Sequence, residues 1–324
     1  PESSEAAGDS GAVAAADGTD LGGGASGSGT EAFEHGTHTY PGTMLEEMIG
    51  SDAAEANYGI AQMSEDDLFE NAERATEAGI SVAIHAIGDQ ANHHVLEVFD
   101  RLRETTREAE QRFGRPLRHR VEHAQFIRPE DLARFAGLDV IASMQPRHCI
   151  SDLHLLHLVD ESAGLAAYAW SDLLSAGAQV VFGSDGPVEP ANPFAAIYAA
   201  MTRADISGDA GTSFQPERRL SAVEAIRLHT QGPAFAAGLE DRRGYLAAGM
   251  DADFIVVDTD PCVAEGLNPE TPARGTSGLF EEVHKAAGGL LGYTSEEALF
   301  AHAEAIRDTR VGMTVVGGEI KHRA

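Results

Sequence analysis

ISVAIHAIG, at residues 80–88, is the stretch that decides the fold, a short apolar run rich in β-branched side chains. A run of this length and character is typical of a strand buried on both faces of a sheet. An amphipathic segment precedes it at 64–79, with Ser64 placed as an N-cap, acidic residues in the first turn and Gly79 at its end. A second amphipathic segment follows at 91–114. The order therefore predicts helix, strand and helix.

The same alternation continues towards the C-terminus. Further apolar strands are predicted for HRVEHAQF at 119–126, DVIASMQP at 139–146 and QVVFGSDGP at 179–187. Helices are predicted at 129–138, 167–178, 192–204 and 221–238. Apolar strands that alternate with helices indicate a parallel sheet covered on both faces. Each strand ends in polar or ionisable residues, as the strands do at the catalytic face of a (β/α)8 barrel.

The two ends of the chain differ from this central part. Residues 1–56 are rich in glycine, serine and acidic residues, which predicts a loop or a disordered segment. Residues 57–238 carry the strand–helix alternation. Residues 239–324 contain a predicted turn and strand at 245–260 and another strand at 310–320. Because two strands are not stable alone, we expect 239–324 to contribute to a small β-domain.

The composition is strongly acidic, with 52 aspartate and glutamate residues against 23 lysine and arginine residues and a formal charge of −29. A surface of that sign repels phosphate backbones, which excludes nucleic acid as a partner. Only Lys285 and Lys321 are lysines. We interpret the charge as the solvated acidic shell of a halophilic protein, in which salt screens the self-repulsion.

The remaining composition bounds the location. The chain has no run of about 18 apolar residues, so no membrane-spanning helix and no membrane partner are predicted. The two cysteines, Cys149 and Cys262, lie far apart and form neither a CxxC motif nor a disulfide framework. A reducing, cytoplasmic location fits this use of cysteine. The sequence leaves a homo-oligomer open.

Three metal-capable side chains, His85, His123 and Asp185, lie at the ends of three predicted strands. Neutral imidazoles and a carboxylate are the ligands that zinc and similar ions take in proteins. A catalytic site keeps an open position for a water molecule whose pKa the metal lowers. Asp185 can accept a proton from that water and pass it to a leaving amine. We predict His85, His123 and Asp185 as ligands of a divalent metal, and Asp185 also as the catalytic residue.

Taken together, several motifs resemble those of the amidohydrolase superfamily, in its YtcJ-like or amidohydrolase 3 branch. The motifs are IHAIGDQAN at 84–92, RVEHAQ at 120–125, MQPRHCISD at 144–152, FGSDGPVEPANPF at 182–194, AGMDADFIVVD at 248–258 and TVVGGE at 314–319. The resemblance covers roughly residues 57–324. It implies a TIM barrel that binds one or two divalent metal ions, zinc foremost, and hydrolyses non-peptide amide or amidine-like carbon–nitrogen bonds in small molecules.

The resemblance also assigns places in the fold. It puts His85 on the fifth barrel strand, His123 on the sixth and Asp185 after the eighth. The chain would then hold about strands four or five to eight of an α/β barrel of the TIM (β/α)8 type, with a remnant of a small β-sandwich at its C-terminus.

Two features depart from the family. The His-x-His pair of the first barrel strand is missing, since His35 and His38 are three apart in a polar stretch. A lysine that bridges two metal ions is missing as well, because the first lysine is Lys285. An inactive truncated fragment, a non-catalytic barrel and a deaminase-type relative with a single metal ion therefore stay open as alternatives.

Four further residues are candidates for substrate contact or for support of the metal ligands. Asp89 follows His85 by four positions and either holds a ligand imidazole or caps the next helix. Gln145, His148 and Asp152 follow the strand at 139–146, where they either contact substrate or belong to an ordinary polar loop.

Overall fold

A computed structural model describes residues 63–156, 164–262 and 291–324. The predicted loop or disordered segment at 1–56 lies outside the described residues, as do His35 and His38. Among the residues described, no helix is both long and apolar enough to span a bilayer.

The strands are short. They are β1 (Ala83–Ala86), β2 (Arg120–His123), β3 (Phe126–Ile127), β4 (Ile141–Met144), β5 (Ala166–Ala167), β6 (Val180–Phe182), β7 (Phe254–Val257), β8 (Val311–Val316) and β9 (Glu319–Arg323). The α-helices are α1 (Glu65–Glu77), α2 (Asp89–Arg101), α3 (Arg103–Phe113), α4 (Leu132–Gly137), α5 (Pro146–Ser151), α6 (Trp170–Ser175), α7 (Pro193–Thr202), α8 (Ala222–Ala236) and α9 (Glu296–Arg307). Single 3-10 turns occur at Pro129–Asp131, Ala210–Thr212 and Pro216–Arg218.

A parallel sheet with the strand order β1, β2, β4 and β6 forms the centre of the fold. The four apolar runs predicted from the sequence supply these strands, and each pair is parallel. Ala86 lies opposite His123 in the first pair, and Met144 lies opposite Phe182 in the last. Because all four strands run in one direction, their carboxyl ends meet at one edge of the sheet.

The helix before β1 begins and ends as predicted. The Ser64 side chain accepts a hydrogen bond from the Asp67 backbone N–H at 3.2 Å, which caps α1. Gly79 then turns the chain with φ of +75°. A Cβ atom at Gly79 would lie 2.6 Å from the exposed Phe113 ring, which would have to move, and the positive φ favours glycine here in any case.

The segment predicted as one helix at 91–114 is two helices, α2 and α3, which meet at Leu102. The ψ of −6° at Leu102 departs from the helical value, while the flanking hydrogen bonds from Leu102 to Val98 and from Thr106 to Leu102 persist. Leu102 is fully buried. The prediction of a single helix was wrong at this bend, where the chain keeps helical hydrogen bonds and brings an apolar side chain into the core.

Helix α8 packs directly on β6. It starts with a capping box in which Ser221 and Glu224 satisfy each other's backbone N–H groups. A Cβ at Gly232 would lie 3.2 Å from the Val181 Cα, so the absence of a side chain allows the helix to approach the strand backbone closely. This contact fixes the position of β6 and of the residues that follow it.

The C-terminal strands form a separate antiparallel sheet with the order β7, β8 and β9. The two predicted strands are present, and Gly317 and Gly318 make the turn into a third strand at the end of the chain. Ile255, Val256 and Ile320 on this sheet are largely exposed. Closure of a (β/α)8 barrel, a complete β-sandwich and the domain bounds at 57–238 and 239–324 stay predictions.

Helix α9 is attached to the parallel part of the fold through Arg219, which is 1% exposed. Its guanidinium donates to the Thr202 carbonyl at 3.0 Å, to the Ser213 hydroxyl at 2.6 Å and to the Glu296 carboxylate at 2.8 Å. The buried guanidinium of Arg219 therefore has an acceptor on each of three segments, at Thr202, Ser213 and Glu296, and holds these segments together.

Candidate metal centre

The polar residues predicted from the sequence collect at the carboxyl edge of the parallel sheet. His85 is the third residue of β1, and His123 is the last residue of β2. Gln145 directly follows β4, and His148 lies in α5 two positions further on from Pro146. Asp185 follows β6 after two intervening residues. The strands alone thus place these side chains along one rim.

Three of these side chains form a compact cluster. His123, His148 and Asp185 can each offer one ligand atom, and these atoms lie within 4.8 Å of one another. The two imidazole rings are stacked with their centroids 5.6 Å apart, and Nε2 of His148 lies 3.9 Å from Oδ2 of Asp185. Two imidazoles and a carboxylate at this spacing are a donor set suited to zinc and similar divalent ions.

One atom of the cluster has an unsatisfied requirement. Nε2 of His148 is buried and makes no hydrogen bond within the described part of the chain. Burying a polar atom without a partner destabilises the fold by about 1–3 kcal/mol. A cation between His148 and Asp185 would satisfy this atom, so the residues present fit a divalent metal.

The electrostatics of the two histidines agree with that fit. Burial lowers the pKa of His123, and the neighbouring His148 lowers it further, against the carboxylate of Asp185. Burial also lowers the pKa of His148, against the carboxylates of Asp185 and Glu189. Both imidazoles therefore favour the neutral form, which is the form that ligates a metal.

The backbone at the cluster adopts an uncommon conformation. His123 has φ of 74°, Ala124 has φ of 47° and Asp185 has φ of 51°. Residues other than glycine rarely adopt positive φ, which costs about 1–3 kcal/mol where the surroundings impose it. Strained residues gather at functional sites, and here the strain coincides with two of the three cluster members.

His85 lies beside this cluster. Its ring packs edge-on against His123, with the centroids 4.4 Å apart and the planes at 73°. The sequence named His85 as a ligand and gave His148 only a secondary place. The structure brings His85, His123, His148 and Asp185 to one rim, while the compact three-atom group uses His148.

The secondary candidates have clear structural partners. Asp89 is the first residue of α2 and is 2% exposed, and one of its partners is the Arg128 guanidinium at 3.1 Å. Asp152 accepts hydrogen bonds from the Tyr168 hydroxyl and, at 3.1 Å, from the Gln125 side chain. Burial raises the pKa of Asp152.

Sequence reasoning missed Gln125 and Tyr168. Gln125 comes two residues after His123, and its amide also donates to the Tyr168 hydroxyl at 2.5 Å. The backbone carbonyl of Gln125 also accepts a hydrogen bond from the backbone N–H of Tyr168 at 2.7 Å. Gln125, Asp152 and Tyr168 thus fix the segment that leaves β2. The separation of 43 residues between the two main partners leaves no local signal in the sequence.

A cavity of about 680 Å³ lies between α5 and the segment around 205–214. Arg147, His154 and Asp205 are among the polar residues that line it, and the cluster residues are not. Arg147 is already paired with the buried carboxylate of Glu189 at 3.2 Å. The cavity is therefore separate from the cluster.

A model of the amidohydrolase family matches residues 9–322 of the chain. The match covers nearly the whole sequence, and the protein belongs to the amidohydrolase family. The relatives place it with the YtcJ-like, amidohydrolase 3 branch, as the motifs predicted.

Two curated relatives and one solved structure illustrate the similarity. The chain is 34% identical over 206 residues to Protein LONG AFTER FAR-RED 3 of Arabidopsis thaliana. This alignment covers 63% of this chain and 34% of that protein. It is 33% identical over 205 residues to the putative amidohydrolase YtcJ of Bacillus subtilis (strain 168). This alignment covers 63% of this chain and 37% of that protein. The crystal structure of an uncharacterized metal-dependent hydrolase from Pyrococcus furiosus superposes on this chain with a TM-score of 0.52 and 35% sequence identity. The superposition covers 63% of this chain and 39% of that one. The chain spans about a third of the length of these curated relatives.

Proposed function

We propose that this protein is a metal-dependent hydrolase that cleaves carbon–nitrogen bonds of the non-peptide amide or amidine type in small molecules. The observation that carries the proposal is the cluster of His123, His148 and Asp185, with its ligand atoms within 4.8 Å of one another. Membership of the amidohydrolase family supports the reaction class.

The metal ligands in this proposal are His123, His148 and Asp185, and zinc suits two imidazoles and a carboxylate. His85, which packs on His123, stays the ligand predicted from the sequence, either for a second ion or in place of His148. A bound divalent ion would lower the pKa of a water molecule and polarise the bond to be cleaved.

The protein's own groups then handle the proton. Asp185 is 40% exposed on its side chain, so water and substrate can reach its carboxylate. It accepts the proton of the attacking water and passes it to the leaving nitrogen. The side chains of His123 and His148 are far less exposed and hold the ligand geometry. The exposed carboxylate can thus exchange protons with water and substrate, while the buried imidazoles keep their positions during the hydrolysis.

The cellular setting proposed with this function is a cytoplasm of high salt. The formal charge of −29 gives a surface that repels itself at low ionic strength and is screened at high ionic strength. Assays therefore belong in molar salt, and a homo-oligomer can be checked there by light scattering.

Elemental analysis of the purified chain in molar salt tests the proposal. We expect near-stoichiometric divalent metal in the wild type and its loss in His123→Ala and Asp185→Ala. His322→Ala is the matched control, because His322 is exposed on β9 and lies in the separate sheet. Comparison of His85→Ala with His148→Ala identifies the remaining imidazole ligand.

Two results would count against the proposal. A folded wild-type chain that retains no zinc, manganese or iron after loading would remove its basis. Equal metal loss in His322→Ala and His123→Ala would mean that the metal is bound non-specifically. Where metal is bound, release of an amine from small amides supports hydrolysis, and release of ammonia from ring amidines would instead support the deaminase-type alternative.

A further inference from the structure

Gln145 makes a directed contact with one member of the cluster. It is 6% exposed and directly follows β4. Its side-chain oxygen Oε1 lies 3.0 Å from Nδ1 of His123. Its side-chain nitrogen Nε2 donates to the Ser143 carbonyl at 3.3 Å. Both ends of the carboxamide therefore have partners, one on the strand backbone and one on an imidazole.

The two contacts together determine where the proton of His123 lies. A carbonyl oxygen can only accept, so the end of Gln145 that faces Ser143 must be the amino group. The end that faces His123 is then the amide oxygen, which also only accepts. Nδ1 of His123 must consequently carry the hydrogen, and Nε2 must carry the lone pair.

We propose that Gln145 is a positioning residue that holds His123 in the Nδ1–H tautomer, so that the lone pair of Nε2 is presented for ligation. This inference rests on the proposed function for its purpose, since the lone pair serves a metal ion. The tautomer and ring orientation are properties of the protein itself. Ligand histidines commonly donate their other N–H to a carboxylate or carbonyl, and Gln145 supplies the carbonyl here.

Two substitutions separate hydrogen bonding from packing. Gln145→Met keeps the length and much of the volume of the side chain but removes the acceptor. Gln145→Glu restores an acceptor, with added charge. Gln179→Met is the matched control, because Gln179 is an exposed glutamine directly before β6.

The first readout is the tautomer, measured by nitrogen-15 NMR of histidine-labelled, metal-free protein at pH 8, with the His123 signals assigned by their loss in His123→Asn. We expect the Nδ1–H form in the wild type, in Gln179→Met and in Gln145→Glu. We expect a shift towards the Nε2–H form or a mixture in Gln145→Met. A wild-type His123 in the Nε2–H form would overturn the proposal, as would an unchanged tautomer in folded Gln145→Met.

The second readout is metal affinity, measured by competition with a chromogenic chelator. Loss of a residue that orients a ligand lowers affinity by about 10–100-fold, and we expect that loss in Gln145→Met, with recovery in Gln145→Glu. Unchanged affinity in Gln145→Met would overturn the positioning role. If the wild type binds no metal but shows the Nδ1–H form that Gln145→Met loses, the proposed function fails while the tautomer assignment to Gln145 stands.

Discussion

A buried histidine lies at each end of β2, His119 directly before its first residue and His123 as its last, and the two differ in their hydrogen-bond partners. At the amino end, His119 accepts a hydrogen bond from the Val82 N–H at its Nδ1, at 3.1 Å, and its Nε2 contacts the Thr106 hydroxyl at 3.2 Å. At the carboxyl end, Nδ1 of His123 lies 3.0 Å from Oε1 of Gln145, and the same side chain belongs to the cluster. With the Nδ1–H form proposed for His123, the two histidines have opposite tautomers.

The difference teaches how to tell a structural histidine from a functional one. Both are almost fully buried, so burial does not separate them. His119 has both ring nitrogens matched within the fold and ordinary backbone angles around it. His123 has a strained backbone position, and within the described ranges only its Nδ1 has a hydrogen-bond partner. In parallel α/β barrels the amino ends of strands serve stability and the carboxyl ends serve function, and we expect β2 to follow that rule.

The largest expected effect is a separation of stability from metal binding along β2. His119→Ala leaves the buried Val82 N–H without an acceptor and opens a cavity, so we expect it to lose about 3 kcal/mol of unfolding free energy. We expect its metal content to stay at the wild-type level. His123→Ala should lose the metal, and this loss of metal is what distinguishes it from His119→Ala.

Denaturant titration in molar salt and elemental analysis on the same preparations make this comparison. His119→Gln is the control, because its amide oxygen can still accept from Val82. Metal loss in a folded His119→Ala protein would show that the two ends of β2 are not independent, and the comparison would break.

A second effect, about 2 kcal/mol, comes from protonation. Burial lowers the pKa of His119 from 6.5 to about 4, and it lowers the pKa of His229 to about 4 as well. The unfolded chain therefore binds more protons than the folded chain between those values, so stability rises with pH in that window. The contribution of His119 is fully present above pH 6.5 and is lost as the pH falls to about 4.

Stability measured against pH for the wild type and His119→Gln tests this. The difference in unfolding free energy between the two proteins separates the effect of His119 from that of carboxylates that titrate in the same pH range. We expect the wild type to lose about 2 kcal/mol more than His119→Gln between pH 7 and pH 4.5. Parallel curves for the two proteins would mean that His119 is not held neutral by burial.

A third effect, about 1 kcal/mol, tests the strain at the carboxyl edge. Asp185 has φ of 51°, a conformation that glycine adopts without a steric cost. We expect Asp185→Gly to be about 1 kcal/mol more stable than Asp185→Ala in the absence of metal, since alanine keeps the Cβ clash. Both variants lack the carboxylate, so neither should bind metal. Equal unfolding free energies of the two variants in denaturant titrations would mean that the backbone at residue 185 is not strained.

The fold was predictable where local pattern decides it. The run at 80–88 and its three counterparts gave the parallel strands, and Ser64 and Gly79 marked the ends of α1. The bend at Leu102 was not predicted, because the segment keeps a helical pattern on both sides of it. The strand β9 was also missed as a separate element, since a Gly-Gly turn does not specify which strand follows it.

The site was predictable where strand ends decide it, and less so elsewhere. His123 is the last residue of β2 and Asp185 follows β6 by three positions, and their clustering follows from a parallel sheet. The place of His148 depends on how α5 turns after β4, which tertiary packing sets. Positive φ at His123 has no signature in the residue type, and the Gln145 contact joins residues 22 positions apart.

The smallest expected effect concerns Glu122, which precedes His123 and should project from the other side of β2. In the structure Glu122 pairs with Arg120, with both side chains about three-quarters buried. We expect Glu122→Gln to change the unfolding free energy by only about 0.5 kcal/mol, because partly exposed ion pairs contribute little. Metal content and the tautomer of His123 should not change, as elemental analysis and nitrogen-15 NMR can check. Metal loss in Glu122→Gln would place this carboxylate on the ligand side of the strand, and the division of β2 into a structural and a functional end would then have to include its faces as well as its ends.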